Sequence, residues 1–160
     1  MLTRRAALSG ISATACAVVL PDFAASAAGD DRVVRTDAEW RATLTGPQYA
    51  ILRQEGTEPP FTSSLLHEER KGTFACAGCG LDLFSSATKF DSGTGWPSFW
   101  APLDHAVNTH EDRSFFMVRT AVTCRRCDGH LGHVFDDGPQ PTGLRYCMNG
   151  LALTFKPEIA

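Results

Sequence analysis

Cys76-Ala77-Gly78-Cys79 and Cys124-Arg125-Arg126-Cys127 constrain this chain more than any other feature. A CxxC turn lets two sulfurs point at one ion, and Gly78, Gly80 and Gly129 permit the tight backbone it needs. Two such knuckles supply four thiolates, the closed tetrahedral set of a structural zinc site. The fold must then bring the two turns together across a long insert. Rivals stay open at this point: two separate disulfides, a redox-active pair, or an iron–sulfur cluster. A redox CxxC opens a helix beside a βαβ unit, and neither pair sits in that context. With four thiolates bound, no ligand position is left for chemistry, so this zinc shapes the fold.

The first residues read as an address. Thr3-Arg4-Arg5 precedes a weakly apolar run from Ala6 to Leu20, followed by Pro21 and the small-x-small triplet Ala25-Ser26-Ala27. A charged start, an apolar stretch and a cleavage signal make a secretory signal peptide over 1–27, cut near Ala27. The paired arginines are similar to the twin-arginine signal, which exports folded proteins. An ordinary Sec signal and a membrane anchor are the alternatives, although the apolar run is too short and too rich in Ala, Ser and Thr for a stable span. The expected location is the periplasm by the twin-arginine route, with no membrane attachment after cleavage. Export makes disulfides a serious rival to zinc. Loading zinc in the reducing cytosol before export would resolve that conflict. Cys16 leaves with the signal and lacks a lipoprotein context.

Residues 28–35 read as a linker and 36–157 as one domain. Thr36-Asp37-Ala38-Glu39 is a capping box opening a helix that carries Trp40 and Leu44 on one face. Gly46-Pro47 starts a second helix with Tyr49, Ile51 and Leu52 apolar, which Gly56 ends. Glu58-Pro59-Pro60-Phe61 must be extended or turning. From Gly72 the pattern turns to short strands. Leu81 to Phe84 alternates, and Ser114–Cys124 and Leu151–Phe155 read as strands. The expected fold is mainly β or α+β: a small antiparallel domain of two sheets, barrel-like, with N-terminal helices packed as a cap. Hydrophobic residues at 43% and charged residues at 21% suit a globular domain rather than a disordered chain. A formal charge of −3 argues against nucleic acid as a partner.

Of six cysteines, removing Cys16 and the four CxxC thiols leaves Cys147. An unpaired cysteine is commonly a buried packing residue. Its neighbours suggest otherwise. Arg145 and Asn149 lie two residues to either side and share its face in a strand. A nearby cation favours the thiolate. His130 and His133 lie upstream as possible proton donors, and His130 is also near enough to Cys127 to be weighed as a metal ligand.

CAGC, KFDSGTGWPSF, CRRCDGHLGHVFDDGPQPTGLRYCMNG, in that order, resembles the methionine-R-sulfoxide reductases of the B type, from about Asp37 to Lys156. The resemblance implies a small antiparallel β domain that reduces the R epimer of methionine sulfoxide, peptide-bound, with the free amino acid left open. It implies Cys147 as nucleophile, with His130, His133 and Asn149 handling the proton and water. It implies an aromatic pocket for the S-methyl group formed by Trp96 and joined by Phe135, with Arg145 beside it. The implied product is methionine plus a sulfenic acid on Cys147. Many family members carry a resolving cysteine between the glycines of SGxGWPSF. Here that position is Thr94, so the resemblance implies an external thiol reductant, whether thioredoxin-like, glutaredoxin-like or a small thiol. A zinc-ribbon binding module is the competing function. It accounts for Cys76, Cys79, Cys124 and Cys127 but gives Cys147, His130, His133 and Trp96 no task. A nucleic-acid-binding ribbon is a third reading, disfavoured by the acidic charge.

Overall fold

The computed structural model describes residues 31–114 and 117–159. The signal-peptide reading of 1–27 lies outside the described residues. The helical start is as expected. Helix α1 spans Asp37–Thr43 and α2 spans Gly46–Gln54, and each opens on a complete capping box, Thr36 with Glu39 and Thr45 with Gln48. Reciprocal capping satisfies two backbone donors that a helix start otherwise leaves bare. Glu55 turns left-handed after α2, and the Gly56 N–H donates to the Ala50 carbonyl at 2.9 Å, closing the helix end. Trp40, Leu44, Tyr49, Ile51 and Leu52 are buried together with the β core.

The β region forms two antiparallel sheets among the described residues. Strands β1 (Gly72–Cys76), β2 (Asp82–Ser85) and β9 (Leu153–Pro157) form the smaller, in the order β2-β1-β9. The larger contains β3 (Lys89–Phe90), β4 (Ser98–Phe99), β5 (Val107–Asp112), β6 (Arg119–Cys124), β7 (His130–Phe135) and β8 (Arg145–Met148), in the order β3-β4-β8-β7-β6-β5. Both sheets are open, so the barrel-like part of the expectation is corrected. Their seam is aromatic. Phe84 stacks on Phe99 at 4.4 Å between centroids, and Phe74 meets Phe99 edge-on at 5.0 Å.

Two strand boundaries differ from the expectation. The strand read from Ser114 begins at Arg119. Asp112 Oδ1 accepts the Ser114 N–H at 2.8 Å, which bends the chain before the strand resumes. The strand read from Leu151 begins at Leu153, because a short 3-10 turn occupies Gly150–Ala152. The stretch read as a linker is bound from Asp31 onward. Asp31 pairs with Arg125 and Arg126, Arg32 pairs with Asp128, and the Val33 N–H donates to the Arg126 carbonyl at 2.7 Å. No helix among the described residues is long and apolar enough to cross a membrane.

Candidate active site

The two knuckles meet. Cys76 ends β1 and Cys124 ends β6, with Cys79 and Cys127 in the turns that follow. The four sulfurs lie within 4.8 Å of one another, with Cys76–Cys127 at 3.7 Å and Cys79–Cys124 at 3.5 Å. A zinc–sulfur length of about 2.3 Å gives tetrahedral edges of about 3.8 Å. Disulfide sulfurs sit at about 2.05 Å. The cluster therefore fits a metal ion and not a pair of disulfides. It also joins the two sheets, since β1 and β6 belong to different ones. Trp40 and Leu52 pack over Gly78, Leu52 packs over Gly129, and Arg53 Nη1 donates to the Cys127 carbonyl at 2.8 Å. The helical cap thus covers the cluster. His130 is not part of it.

Strand β8 sorts its side chains by alternation. Tyr146 and Met148 enter the core, while Arg145 and Cys147 face the other way. Cys147 is paired in register with His133 on β7 and with Ser98 on β4. Paired positions share a face. Gly132 makes this closeness possible, because a Cβ there would collide with the Cys147 carbonyl. A register shift sets Thr123 against His130 and Val122 against Gly132, so β7 takes two steps where β6 takes one. Histidines three apart in a regular strand point to opposite faces. The bulge turns His130 and His133 to the same one, with ring centroids 5.3 Å apart.

A small cavity of about 120 Å³ lies over this face, lined by Trp96, His133, Phe135, Cys147 and Asn149, with Thr57, Arg119 and Gly132. Five of the residues named from the sequence thus converge. His130 lies behind His133, 3% exposed, and neither ring nitrogen has a hydrogen-bond partner among the described residues. Arg145 lies next to Cys147 without lining the cavity. Its guanidinium is paired to Asp137 at 2.8 Å and stacks 4.4 Å over Phe135. Asn149 is 3% exposed and both ends of its amide are engaged, Oδ1 by the Glu58 N–H at 3.0 Å and Nδ2 by the Leu131 carbonyl at 3.1 Å.

Burial pushes the Cys147 thiol above its ordinary value, while Thr94, Arg145 and Ser98 pull the other way. Thr94 Oγ1 is 3.9 Å from the sulfur and continues a hydroxyl chain through Ser92 to Ser98. Burial holds His133 below its ordinary value despite the hydrogen bond of its Nε2 to Asp112 at 2.8 Å. Hydrogen bonds from Ser114, then from His133, keep the Asp112 carboxyl well below the usual carboxylate range. His130 is pushed down to about 4 by its burial and then by the neighbouring His133. Asp112, Arg119 and Thr57 were not identified from the sequence. Asp112 and Arg119 face each other across the β5–β6 hairpin and are ion-paired at 2.6 Å. No local spacing announces a pair that only the hairpin register creates.

Residues 44–157 match the SelR domain family. The chain belongs to this family, that of the methionine-R-sulfoxide reductases of the B type. Curated relatives cover the same region. The chain is 56% identical over 128 residues to a protein of Pseudomonas putida (strain W619), spanning 79% of this chain and 96% of that one. It is 54% identical over 127 residues to one of Leptospira interrogans, spanning 79% and 97%. It is 51% identical over 129 residues to one of Methanosarcina mazei, spanning 80% and 92%. Each of these relatives is named peptide methionine sulfoxide reductase MsrB. The SelR match includes both knuckles and every residue lining the cavity.

Proposed function

We propose that this SelR protein reduces the R epimer of methionine sulfoxide to methionine through Cys147. The carrying observation is that Cys147 and His133 occupy paired positions facing one cavity walled by Trp96 and Phe135. A sulfoxide sulfur is a poor electrophile until its oxygen is protonated, so thiolate and acid must act on one molecule. His133 lines the cavity and is hydrogen-bonded to Asp112, which supports it as the proton donor. His130 packs behind it as a neutral imidazole. The aromatic wall takes the S-methyl group and the donor side takes the oxygen, which distinguishes the two sulfur configurations. Oxygen passes to Cys147, which becomes a sulfenic acid as methionine is released. One external thiol then forms a mixed disulfide and expels water. A second thiol restores Cys147.

Zinc is the ion proposed for Cys76, Cys79, Cys124 and Cys127. Its chemistry there is to tie the thiolates together, and no step of the reaction passes through it. Oxidised proteins in an exported compartment are the proposed substrates. That location rests on Arg4, Arg5 and the Ala25-Ser26-Ala27 signal. Replacing Arg4 and Arg5 by Lys should leave the protein in the cytoplasm with its signal attached, and unimpaired export would point to the Sec route. The test of the activity is incubation with racemic dabsyl-methionine sulfoxide and excess dithiothreitol. Consumption should stop at half, leaving the S epimer. Consumption of both epimers, or of neither, contradicts the proposal.

A further inference from the structure

Glu58, Ser98, His130 and Asn149 are the buried polar side chains among the described residues, and Glu58 alone is an acid. It is 4% exposed, and among the described residues its carboxyl is met by backbone donors with no basic side chain beside it. Burying a carboxylate without a cation costs free energy. Here backbone donors offset that cost: the Gly150 N–H, and the Leu151 N–H at 3.2 Å. Both belong to the turn directly after Cys147-Met148-Asn149.

The backbone of the same residue touches the site twice. Its N–H donates to Asn149 Oδ1 at 3.0 Å, and its carbonyl accepts the indole Nε1–H of Trp96 at 3.0 Å. Thr57, one residue earlier, lines the cavity. Pro59 and Pro60 have no N–H to give, so the chain cannot anchor itself there through backbone donors. It is next held at Phe61, whose N–H donates to the Gly95 carbonyl at 2.8 Å. Phe61 is left-handed, at φ 65°, a conformation that a bulky residue adopts only when its surroundings impose it. The other side of the contact is equally close. A Cβ at Gly150 would overlap the Ser63 hydroxyl and lie 3.3 Å from Glu58 Oε1.

We propose that Glu58 is a positioning residue. Its carboxylate clamps the segment 57–63 onto the Gly150 turn, so that the segment's backbone sets Trp96 and Asn149 around Cys147. This rests on the reductase reading above and adds a determinant of substrate fit outside the reacting groups. The wall against the S-methyl group is then set by an acid that never touches the substrate.

The test uses the full zinc-loaded chain and three variants, Glu58→Ala, Glu58→Gln and Gly150→Ala. KM and kcat are measured with racemic dabsyl-methionine sulfoxide. The Trp96 indole N–H is followed by NMR, with Trp40 and Trp100 as internal controls. For Glu58→Ala, KM should rise about tenfold while kcat changes less than about threefold, the pattern of lost substrate positioning. The Trp96 indole signal should shift and exchange faster, with Trp40 and Trp100 unmoved and zinc retained. Gly150→Ala should reproduce this from the opposite side of the contact, and Glu58→Gln, which keeps one acceptor, should lie between. Should Glu58→Ala fail to fold, the other two variants carry the comparison. An unmoved Trp96 indole with KM within twofold of wild type overturns the proposal, whatever the melting temperature does. Wild type that leaves the sulfoxide unreduced refutes the reductase reading instead, and the indole signal still decides the clamp.

Discussion

Cys147 and His133 have displaced titrations of opposite sense, and the sign of each decides the pH profile. Burial raises the thiol and lowers the imidazole. Between the two values the neutral pair is in constant ratio with the thiolate–imidazolium pair proposed to react. The first-turnover rate should therefore be level across neutrality. It should fall as pH drops through the lowered His133 value, where the thiol–imidazolium form takes over, and as pH rises through the raised Cys147 value, where the acid is lost. His133→Asn should cut the rate about a hundredfold or more. The remainder should rise with pH through the Cys147 titration, with no fall at the alkaline end. His130 gives a stability prediction. Its folded value of about 4 lies below the ordinary 6.5. The unfolded chain therefore binds the proton first, and stability is lost as pH falls between those values, by at most about 3 kcal/mol. A His130→Leu variant, compared with wild type by urea unfolding at pH 7 and pH 4, should lose less stability over that interval by about the same amount. Cys147, His133 and Trp96 were legible in the sequence because each lies in a short motif. Asp112 and Glu58 were not, because their partners are distant in the chain and are supplied by backbone groups or hairpin register.

At the scale of elements, the helix starts were the most legible part. Thr36 with Glu39 announces a capping box, and the box is formed, with the Thr36 N–H donating to Glu39 at 2.7 Å. The β7 bulge was not legible. Leu131 and Gly132 are an ordinary strand pair in sequence, and only the neighbouring β6 reveals the extra step. The barrel-like closure expected of the domain did not form, since a set of short antiparallel strands does not determine whether edges meet. The consequence for β7 is testable at Gly132, where β8 approaches so closely that a methyl group would strike the Cys147 carbonyl. Gly132→Ala should cost about 3 kcal/mol by urea unfolding. It should also push Cys147 out of register with His133, and activity should fall further than the stability loss explains. Retention of both stability and activity would contradict this close packing of β7 on β8.

The described residues come together at two places, an aromatic seam between the sheets and a cysteine cluster under the helical cap. The cluster was legible from spacing. That Asp31 and Arg32 also fasten to its second knuckle was not, since nothing in a short polar stretch says where it docks. Structural zinc contributes folding free energy because its site exists only in the folded chain. Stripping the metal should lower the melting temperature by more than about 15 °C, with activity lost as a consequence. Full stability after chelation would contradict the metal assignment. The arrangement also isolates Cys147. It faces His133, four residues along β7 from the Gly129 knuckle, a separation on the order of 10 Å at the usual strand rise. Disulfides need Cα atoms within about 7 Å. Thr94, which does lie beside the sulfur, has only a hydroxyl to offer.

Cys147 is therefore the proposed nucleophile, and among the described residues no second thiol lies within disulfide reach of it. Stoichiometric R sulfoxide added to the reduced, zinc-loaded protein without reductant tests this most directly, read by mass spectrometry with dimedone trapping. The expected result is one methionine per protein, one dimedone adduct on Cys147, no internal disulfide and zinc retained. In a Thr94→Cys variant the adduct should give way to a disulfide between the introduced thiol and Cys147. A disulfide between Cys147 and Cys76, Cys79, Cys124 or Cys127 in the unmodified protein, with release of zinc, would contradict the account.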